Sequence, residues 1–274
     1  MTNLRLVYLY GDLMNLYGDR GNIIALQRRA AWRAIDLEVV DVTVGERVDA
    51  GSSDLFFFGG GQDREQEVVS HDLLNGNGTA ICEAVEAGAG LLAVCGGYQL
   101  LGHYFRTGEE LLIPGVGLFD AATIAGPTRN VGNVVAEAEM PGEARTLVGF
   151  ENHSGRTFVG SAQPSPPPPG TTGGRAVPAT VPTEPLARVV IGQGNNGEDR
   201  TEGARYRNAV GTYLHGPVLP KNPWLADWLL LAALRRRLGP DATLSPLDDA
   251  RELASHASVV QLVRQRGRVR TSIR

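Results

Sequence analysis

One short stretch constrains the fold of this chain more than any other. An apolar run at residues 91–94 predicts a short buried strand that ends on Cys95. Gly96 and Gly97 follow, and the amphipathic run at residues 98–105 predicts a helix. A cysteine on such a turn is typical of a nucleophile elbow, where the helix N-terminus favours the thiolate. The alternative is a buried structural cysteine, which the two glycines after the strand disfavour.

Glycines also end an earlier predicted strand. The strand at residues 54–58 runs directly into Gly59, Gly60 and Gly61. Backbone N–H groups exposed at such a strand end can bind a developing oxyanion. A phosphate loop would need a Lys-Ser or Lys-Thr ending, which is absent, and an ordinary tight turn is the remaining alternative.

A histidine lies at the end of a later predicted strand. Residues 209–214 predict this strand, His215 follows it, and Gly216-Pro217 stops it. Open α/β sheets bind their ligands at the carboxyl ends of the parallel strands. A histidine there can take a proton from a thiol and later protonate a leaving group. The alternative is a histidine with a purely structural role.

The order of predicted elements indicates the fold class. Strands alternate with helices, which predicts an α/β fold with a mostly parallel, doubly wound sheet. The formal charge of −4 argues against nucleic acid as the main partner, and no apolar run has the length that a membrane span needs. Cys82 and Cys95 are too few for a disulfide framework or a four-ligand zinc site, so we expect no metal site. The N-terminus carries no signal-peptide pattern, and we expect a cytoplasmic location.

Other polar residues are weaker candidates. The loop at residues 11–22 follows the first predicted strand and is rich in Gly, Asp and Asn. Arg129 lies among small residues and can pair with a substrate carboxylate, although an exposed surface arginine is the simpler interpretation. Glu151 and His153 are either catalytic or part of a polar turn.

The chain divides into unequal parts. We predict one domain over residues 1–240, with a Pro/Gly-rich insertion at about residues 161–186 that cannot fold alone. Residues 241–274 predict a helical extension and a basic tail. Asn22 and Asn222 are predicted helix caps.

Three motifs together resemble a known family. Residues 93–99, 59–63 and 212–217 are similar to those of class I glutamine amidotransferases of the cobyric acid synthase type, whose fold is a flavodoxin-like sheet flanked by helices. Residues 8–22 are more specific, because they resemble the glutaminase subunits of lipid II isoglutaminyl synthases.

This resemblance implies a role for each candidate. Cys95 would attack the side-chain amide carbon of L-glutamine, form a γ-glutamyl thioester and release ammonia. His215 would be general base and acid, N–H groups near Gly60 and Gly96 would form the oxyanion hole, and Arg129 would bind the glutamine.

The resemblance also implies a partner. Ammonia would pass to a MurT-like Mur ligase subunit in a heterodimer, which would amidate the D-glutamate α-carboxyl of lipid II to D-isoglutamine. ATP and Mg would bind that partner, and no cofactor is expected in this chain. The alternatives are service to another synthetase such as a cobyrinate-type one, a non-catalytic binding subunit, and a stand-alone hydrolase of γ-glutamyl compounds.

Two departures from the family pattern affect the site. Ala93 replaces the glycine that many members have two residues before the cysteine. Pro217 replaces the glutamate that often orients the histidine. Either Cys95 and His215 act as a dyad, or a carboxylate comes from elsewhere, and Asp19 and Glu151 are the candidates.

Overall fold

The structure is a computed structural model. The structure describes residues 2–16, 19–140, 143–160 and 179–271. Most of the predicted insertion, residues 161–178, lies outside the described residues, as do Tyr17 and Gly18 of the first loop.

Five parallel strands form the first sheet, with one antiparallel strand at its edge. Their sheet order is β2 (Ile35–Val42), β1 (Thr2–Leu9), β3 (Leu55–Phe58), β4 (Gly90–Val94), β12 (Ala209–Thr212) and the antiparallel β11 (Ala204–Tyr206). Every residue of β3 and β4 is buried, as in strands that are covered on both faces. The predicted mostly parallel α/β sheet is therefore confirmed.

Helices cover both faces of this sheet. They are α1 (Arg20–Ala31), α2 (Asp63–Asp72), α3 (Gly78–Glu86), the short α4 (Gly96–Leu100) and α5 (Pro223–Leu238). One more helix, α6 (Ala250–Thr271), packs against the strands of a second sheet. Alternation along β1 sends Leu6 into the core beneath α1 and α5, and Val7 into the core beneath α3. None of the described helices is both long enough and apolar enough to cross a bilayer.

A second sheet is stacked at the carboxyl end of the first. Its strands are β5 (Tyr104–Arg106), β6 (Leu112–Pro114), β7 (Ala121–Met140), β8 (Glu143–Val159), β9 (Ala187–Ile191), β10 (Thr201–Glu202) and β13 (Leu214–His215). Strands β7 and β8 form a long antiparallel hairpin, and β13 pairs with β8. The chain thus leaves the first sheet at Thr212 and enters the second at Leu214.

Several element predictions need correction. The helix expected over residues 98–105 is only α4, because the chain then turns into β5. The strand expected over residues 209–214 is split at Tyr213, since its two parts pair with different sheets. Between α2 and α3 the helical path is kinked at Asn75 and Gly76, and Gly76 has a φ of 130° there.

The two asparagines predicted as caps act across the fold instead. Asn22 lies inside the first turn of α1, and its side-chain oxygen accepts a hydrogen bond from the Leu219 N–H at 3.0 Å. Asn222 is the N-cap residue of α5, as predicted, but its side chain makes no cap bond. Its amide is fully buried and bonds to both backbone groups of Val148 in β8. These bonds tie α1 and α5 to the segment around His215.

The C-terminal extension runs without regular structure over residues 241–249 and is then helical as α6. Helix α6 packs Val263 against Val135 and Val148 of the second sheet. The division of the chain at residue 240 stays a prediction.

Candidate active site

Cys95 occupies a strained turn between β4 and α4. Its φ of 51° and ψ of −107° are unusual for a residue with a side chain. The Cys95 N–H donates to the carbonyl of Thr212 at 2.9 Å, which fixes the turn against β12. The cysteine remains partly exposed, whereas Cys82 is fully buried. This geometry is that of a nucleophile elbow.

The glycines around the elbow are needed for close backbone packing. A Cβ on Gly97 would lie 2.8 Å from the Gly59 carbonyl oxygen, and a Cβ on Gly96 would lie 2.8 Å from the Gly61 nitrogen. On the other side, a Cβ on Gly59 would lie 2.2 Å from the Met14 carbonyl oxygen. The loop after β3 is therefore clamped between the first loop and the elbow, where only glycine fits.

His215 and Asp19 form a buried pair beside the cysteine. Asp19 is fully buried and His215 is 1% exposed. Their Oδ1 and Nδ1 atoms are 3.3 Å apart, and Asp19 Oδ2 accepts a hydrogen bond from the Gly60 N–H at 3.1 Å. Because a carboxylate oxygen only accepts, Nδ1 carries a proton, and the other ring nitrogen is left to interact with Cys95.

The electrostatic surroundings favour the charged form of His215. Burial lowers the pKa of the imidazole, but hydrogen bonds to Asp19 and to Cys95 outweigh it and raise the pKa to about 10. The imidazolium is therefore the main form at neutral pH, and it lies next to the Cys95 sulfur. An imidazolium beside a cysteine sulfur is an arrangement that can stabilise a thiolate.

Pro217 stands where many family members have a glutamate, and its surroundings show which carboxylate lies beside His215. Pro217 packs against the first turn of α1, where a Cβ on Gly21 would lie 2.4 Å from its ring. The loop before α1 brings Asp19 to the ring of His215, so the carboxylate beside the histidine comes from the first loop and not from the histidine's own strand. The structure thus brings Asp19 together with Cys95 and His215.

Glu151, the other candidate carboxylate, points to a different loop. Its oxygens accept hydrogen bonds from the N–H groups of Gln193, at 3.0 Å, and Gly194, at 2.8 Å. It also lies 3.9 Å from the Nε2 of His153. These contacts hold the loop after β9, and none of them is to the ring of His215.

The N–H group of Gly60 makes a different contact from the one expected. Its N–H is already bound to Asp19 and is not available to an oxyanion. Among the described residues, the N–H groups of Gly61 and Gly96 donate to no protein acceptor. Gly60 instead provides space, because a Cβ there would lie 3.3 Å from the Cys95 Cβ and 3.4 Å from the His215 Cε1.

A cleft of about 790 Å³ opens at the cysteine. Arg129 lines it from the hairpin of the second sheet and is held by Asn152, whose side-chain oxygen accepts from Nε at 2.7 Å. Asp63 lines it from the start of α2; burial and Glu109 raise the pKa of Asp63, while Arg129 lowers it. The cleft therefore carries a cation and an anion within electrostatic reach of each other.

Two further residues line the cleft with defined orientations. The His153 ring is stacked on Tyr213 at a centroid distance of 3.7 Å. Gln99 donates from Nε2 to the Tyr213 hydroxyl at 3.1 Å. Asp63 and Gln99 both stand in the motifs that the sequence shows, but their part in the cleft is visible only once the two sheets are stacked.

Comparison with known proteins identifies the class. The profile of the CobB/CobQ-like glutamine amidotransferase domain matches residues 5–167. The chain belongs to the CobB/CobQ-like glutamine amidotransferase family, which confirms the resemblance drawn from its motifs.

Two curated relatives are similar over most of their length. Lipid II isoglutaminyl synthase (glutamine-hydrolyzing) subunit GatD of Staphylococcus aureus (strain N315) is 40% identical over 86% of this chain and 87% of that protein. The subunit of the same name from Streptococcus pneumoniae (strain ATCC BAA-255 / R6) is 36% identical over 94% of this chain and 92% of that protein. A crystal structure of glutamine amidotransferase shares the fold, with a TM-score of 0.51 and 17% identity over 83% of this chain and 98% of that one.

We predict that Gly60→Ala lowers glutamine hydrolysis roughly 100-fold, the cost typical of a small misplacement of reacting groups. The added methyl group would separate Cys95 from His215, while its ordinary backbone geometry leaves the fold intact. Turnover and the urea midpoint of unfolding are measured together. Gly108→Ala is the matched control, since its Cβ would meet only Ala125 at 4.0 Å. Wild-type turnover in Gly60→Ala would contradict this account of the site.

Proposed function

We propose that this chain is the glutamine-hydrolysing subunit of a lipid II isoglutaminyl synthase and that Cys95 is its nucleophile. The observation that carries the proposal is the buried Asp19–His215 pair set against the partly exposed Cys95. The similarity of the chain to two GatD subunits over most of their length supports the choice of synthase.

The cleft suits the ends of a free amino acid. L-glutamine carries an α-carboxylate, which Arg129 can bind with paired hydrogen bonds, and an α-ammonium group, which the Asp63 carboxylate can attract. Both residues line the cleft with Cys95. The side-chain amide then extends toward the sulfur, and its oxygen faces the N–H groups of Gly61 and Gly96.

The reaction proceeds in two balanced steps. The Cys95 thiolate attacks the amide carbon, and the oxyanion that forms is held by the two N–H groups. The carbon–nitrogen bond breaks as His215 gives its proton to the leaving nitrogen, which departs as ammonia. Water then attacks the γ-glutamyl thioester, His215 takes a proton from that water, and glutamate leaves as the thiolate is restored.

Asp19 keeps the histidine in the tautomer that these steps need. With its Nδ1 proton directed at Asp19, His215 can exchange protons only through its other nitrogen, on the side of Cys95. The Asp19 carboxylate also stabilises the imidazolium that forms.

The ammonia needs an acceptor that this chain does not supply in our proposal. A MurT-like ligase subunit would use ATP and Mg to activate the D-glutamate α-carboxyl of lipid II, and ammonia would convert it to D-isoglutamine. This chain would need no cofactor of its own. A catalytic thiol of this kind functions best in the reducing cytoplasm, where we expect the complex to act.

Release of ammonia and glutamate from L-glutamine tests the proposal. We expect release by the wild type, its loss in Cys95→Ala, and no change in the control Cys82→Ala, because Cys82 packs in the core. A co-purified MurT-like subunit should raise the rate and convert lipid II to its D-isoglutamine form. Release that a cobyrinate-type synthetase stimulates instead would reassign the partner, and no release from folded protein would overturn the glutaminase assignment.

Comparison of Asp19→Asn with Glu151→Gln separates the two candidate carboxylates. We expect Asp19→Asn to lower kcat by about 10³- to 10⁴-fold, as happens when an orienting carboxylate loses its charge. Glu151→Gln should cost far less, because its contacts are with the loop at Gln193. The pH dependence of kcat is measured for both, and the reverse order of effects would show that the triad is assigned wrongly.

A further inference from the structure

The distance between the two reacting groups depends on one change of direction in the chain. Thr212 belongs to the first sheet, and its carbonyl accepts from the Cys95 N–H. His215 belongs to the second sheet, where it pairs with Phe150. Tyr213 and Leu214 lie between them, so the chain changes sheets within these residues. We call the segment from Thr212 to Leu214 the sheet switch.

A buried carboxyl group holds the sheet switch. Glu202 Oε1 accepts hydrogen bonds from the Thr212 hydroxyl at 2.6 Å and from the Tyr213 N–H at 3.0 Å. The Thr212 hydroxyl in turn accepts from the Leu214 N–H at 3.1 Å. The N–H groups that leave the strand ladder at the switch are therefore satisfied by Glu202 directly or through Thr212.

The burial of Glu202 lowers the stability of the fold. It is fully buried at the end of β10, and within the described residues its Oε2 has no hydrogen-bond partner. A buried carboxyl with one unsatisfied oxygen costs free energy that a smaller or neutral side chain would avoid. Its retained contacts all lead to the two residues that connect Cys95 with His215.

We propose that Glu202 is a positioning residue that sets the Cys95–His215 pair by holding the sheet switch, without touching the substrate. This inference rests on the catalytic pair of the proposed function. It adds a residue that acts through the backbone, in contrast to Asp19, which acts on the histidine ring.

The ionisation of Glu202 gives the proposal a distinctive signature. Burial raises the pKa of Glu202 to about 7, against the lowering effect of the bonds from Thr212 and Tyr213; Glu151 on β8 raises it further and His215 on β13 lowers it. The carboxylate accepts hydrogen bonds more strongly than the neutral acid, so the switch is held more firmly above neutral pH. The same shift means that ionisation lowers stability as pH rises from the unfolded value near 4.5 to about 7.

The test measures the reactivity of Cys95 itself. The rate of alkylation by iodoacetamide is followed from pH 5 to 9 by peptide mass spectrometry on the full chain, with the buried Cys82 as an internal reference. We expect Glu202→Ala to slow alkylation of Cys95 at pH 7 roughly tenfold, as expected for a displaced activating group, and to bring it near the rate of His215→Ala. Glu202→Gln keeps the oxygen acceptor and should retain most of the rate but lose the wild-type rise near pH 7.

Kinetics with glutamine should show the same division. Glu202→Ala lowers kcat with little change in KM, because the residue does not contact the cleft. Asp72→Asn is the matched control: Asp72 is also a buried carboxylate, bonded to Tyr10 at 2.8 Å and Asn77 at 2.9 Å, but it lies at the far end of α2 from Asp63. It should lower the unfolding midpoint and leave Cys95 reactivity unchanged.

Two outcomes would overturn the proposal. The first is folded Glu202→Ala that alkylates with the wild-type rate and pH profile. The second applies if Glu202→Ala does not fold: a pH profile of Cys95 alkylation in Glu202→Gln that is identical to that of the wild type would also overturn the proposal. Because alkylation needs no glutamine, His215-dependent reactivity without hydrolysis would overturn the proposed function alone, whereas Cys95-dependent hydrolysis unaffected by Glu202 would overturn this inference alone.

Discussion

The buried carboxylate of Asp19 is the interaction on which the site depends. An anion with no exposure must be satisfied by close donors, and Asp19 finds them in the Gly60 N–H and the His215 ring. The first contact fixes the glycine loop after β3, and the second fixes the histidine at the end of β13. One side chain therefore aligns two loops that are 155 residues apart in the chain (Gly60 to His215).

The stacked second sheet makes this alignment possible. The parallel sheet by itself would bring Cys95 and the glycine loop to one edge, as its topology requires. After β12 the chain leaves that sheet and forms β13, which pairs with β8 and places His215 beside the elbow. The hairpin of β7 and β8 brings Arg129 to the cleft at Cys95. Backbone contacts tolerate no side chain at Gly59, Gly96 or Gly97, so the geometry is set by the main chain as much as by polar side chains.

The sequence was sufficient for the parallel sheet and for the elbow. The apolar runs of β3 and β4 and the glycines after them carry a strong local signal, because strand ends in such sheets meet at one edge. The split of the last strand at Tyr213 left no such signal, since both halves have strand-like residues and only tertiary pairing separates them. Asn222 is the N-cap residue of α5 as predicted, whereas Asn22 lies inside α1. Both side chains bond to tertiary partners and not to the N–H groups of their own helices.

The choice between Asp19 and Glu151 also required the fold. Both are acidic residues in polar segments, and nothing in their spacing from His215 distinguishes them. Gly60 illustrates the same limit: the motif indicated an oxyanion donor, whereas in the structure its N–H donates to Asp19. Sequence motifs thus located the edge of the sheet where these residues meet, and tertiary packing decided which of their polar groups already have hydrogen-bond partners.

The most direct test of the central claim is to trap the covalent intermediate. The protein is mixed with L-glutamine, quenched in acid within one turnover, and digested for peptide mass spectrometry. The account predicts a γ-glutamyl group on Cys95 that is absent from His215→Ala. Glutamine hydrolysis without any such adduct, or an adduct on Cys82, would contradict it.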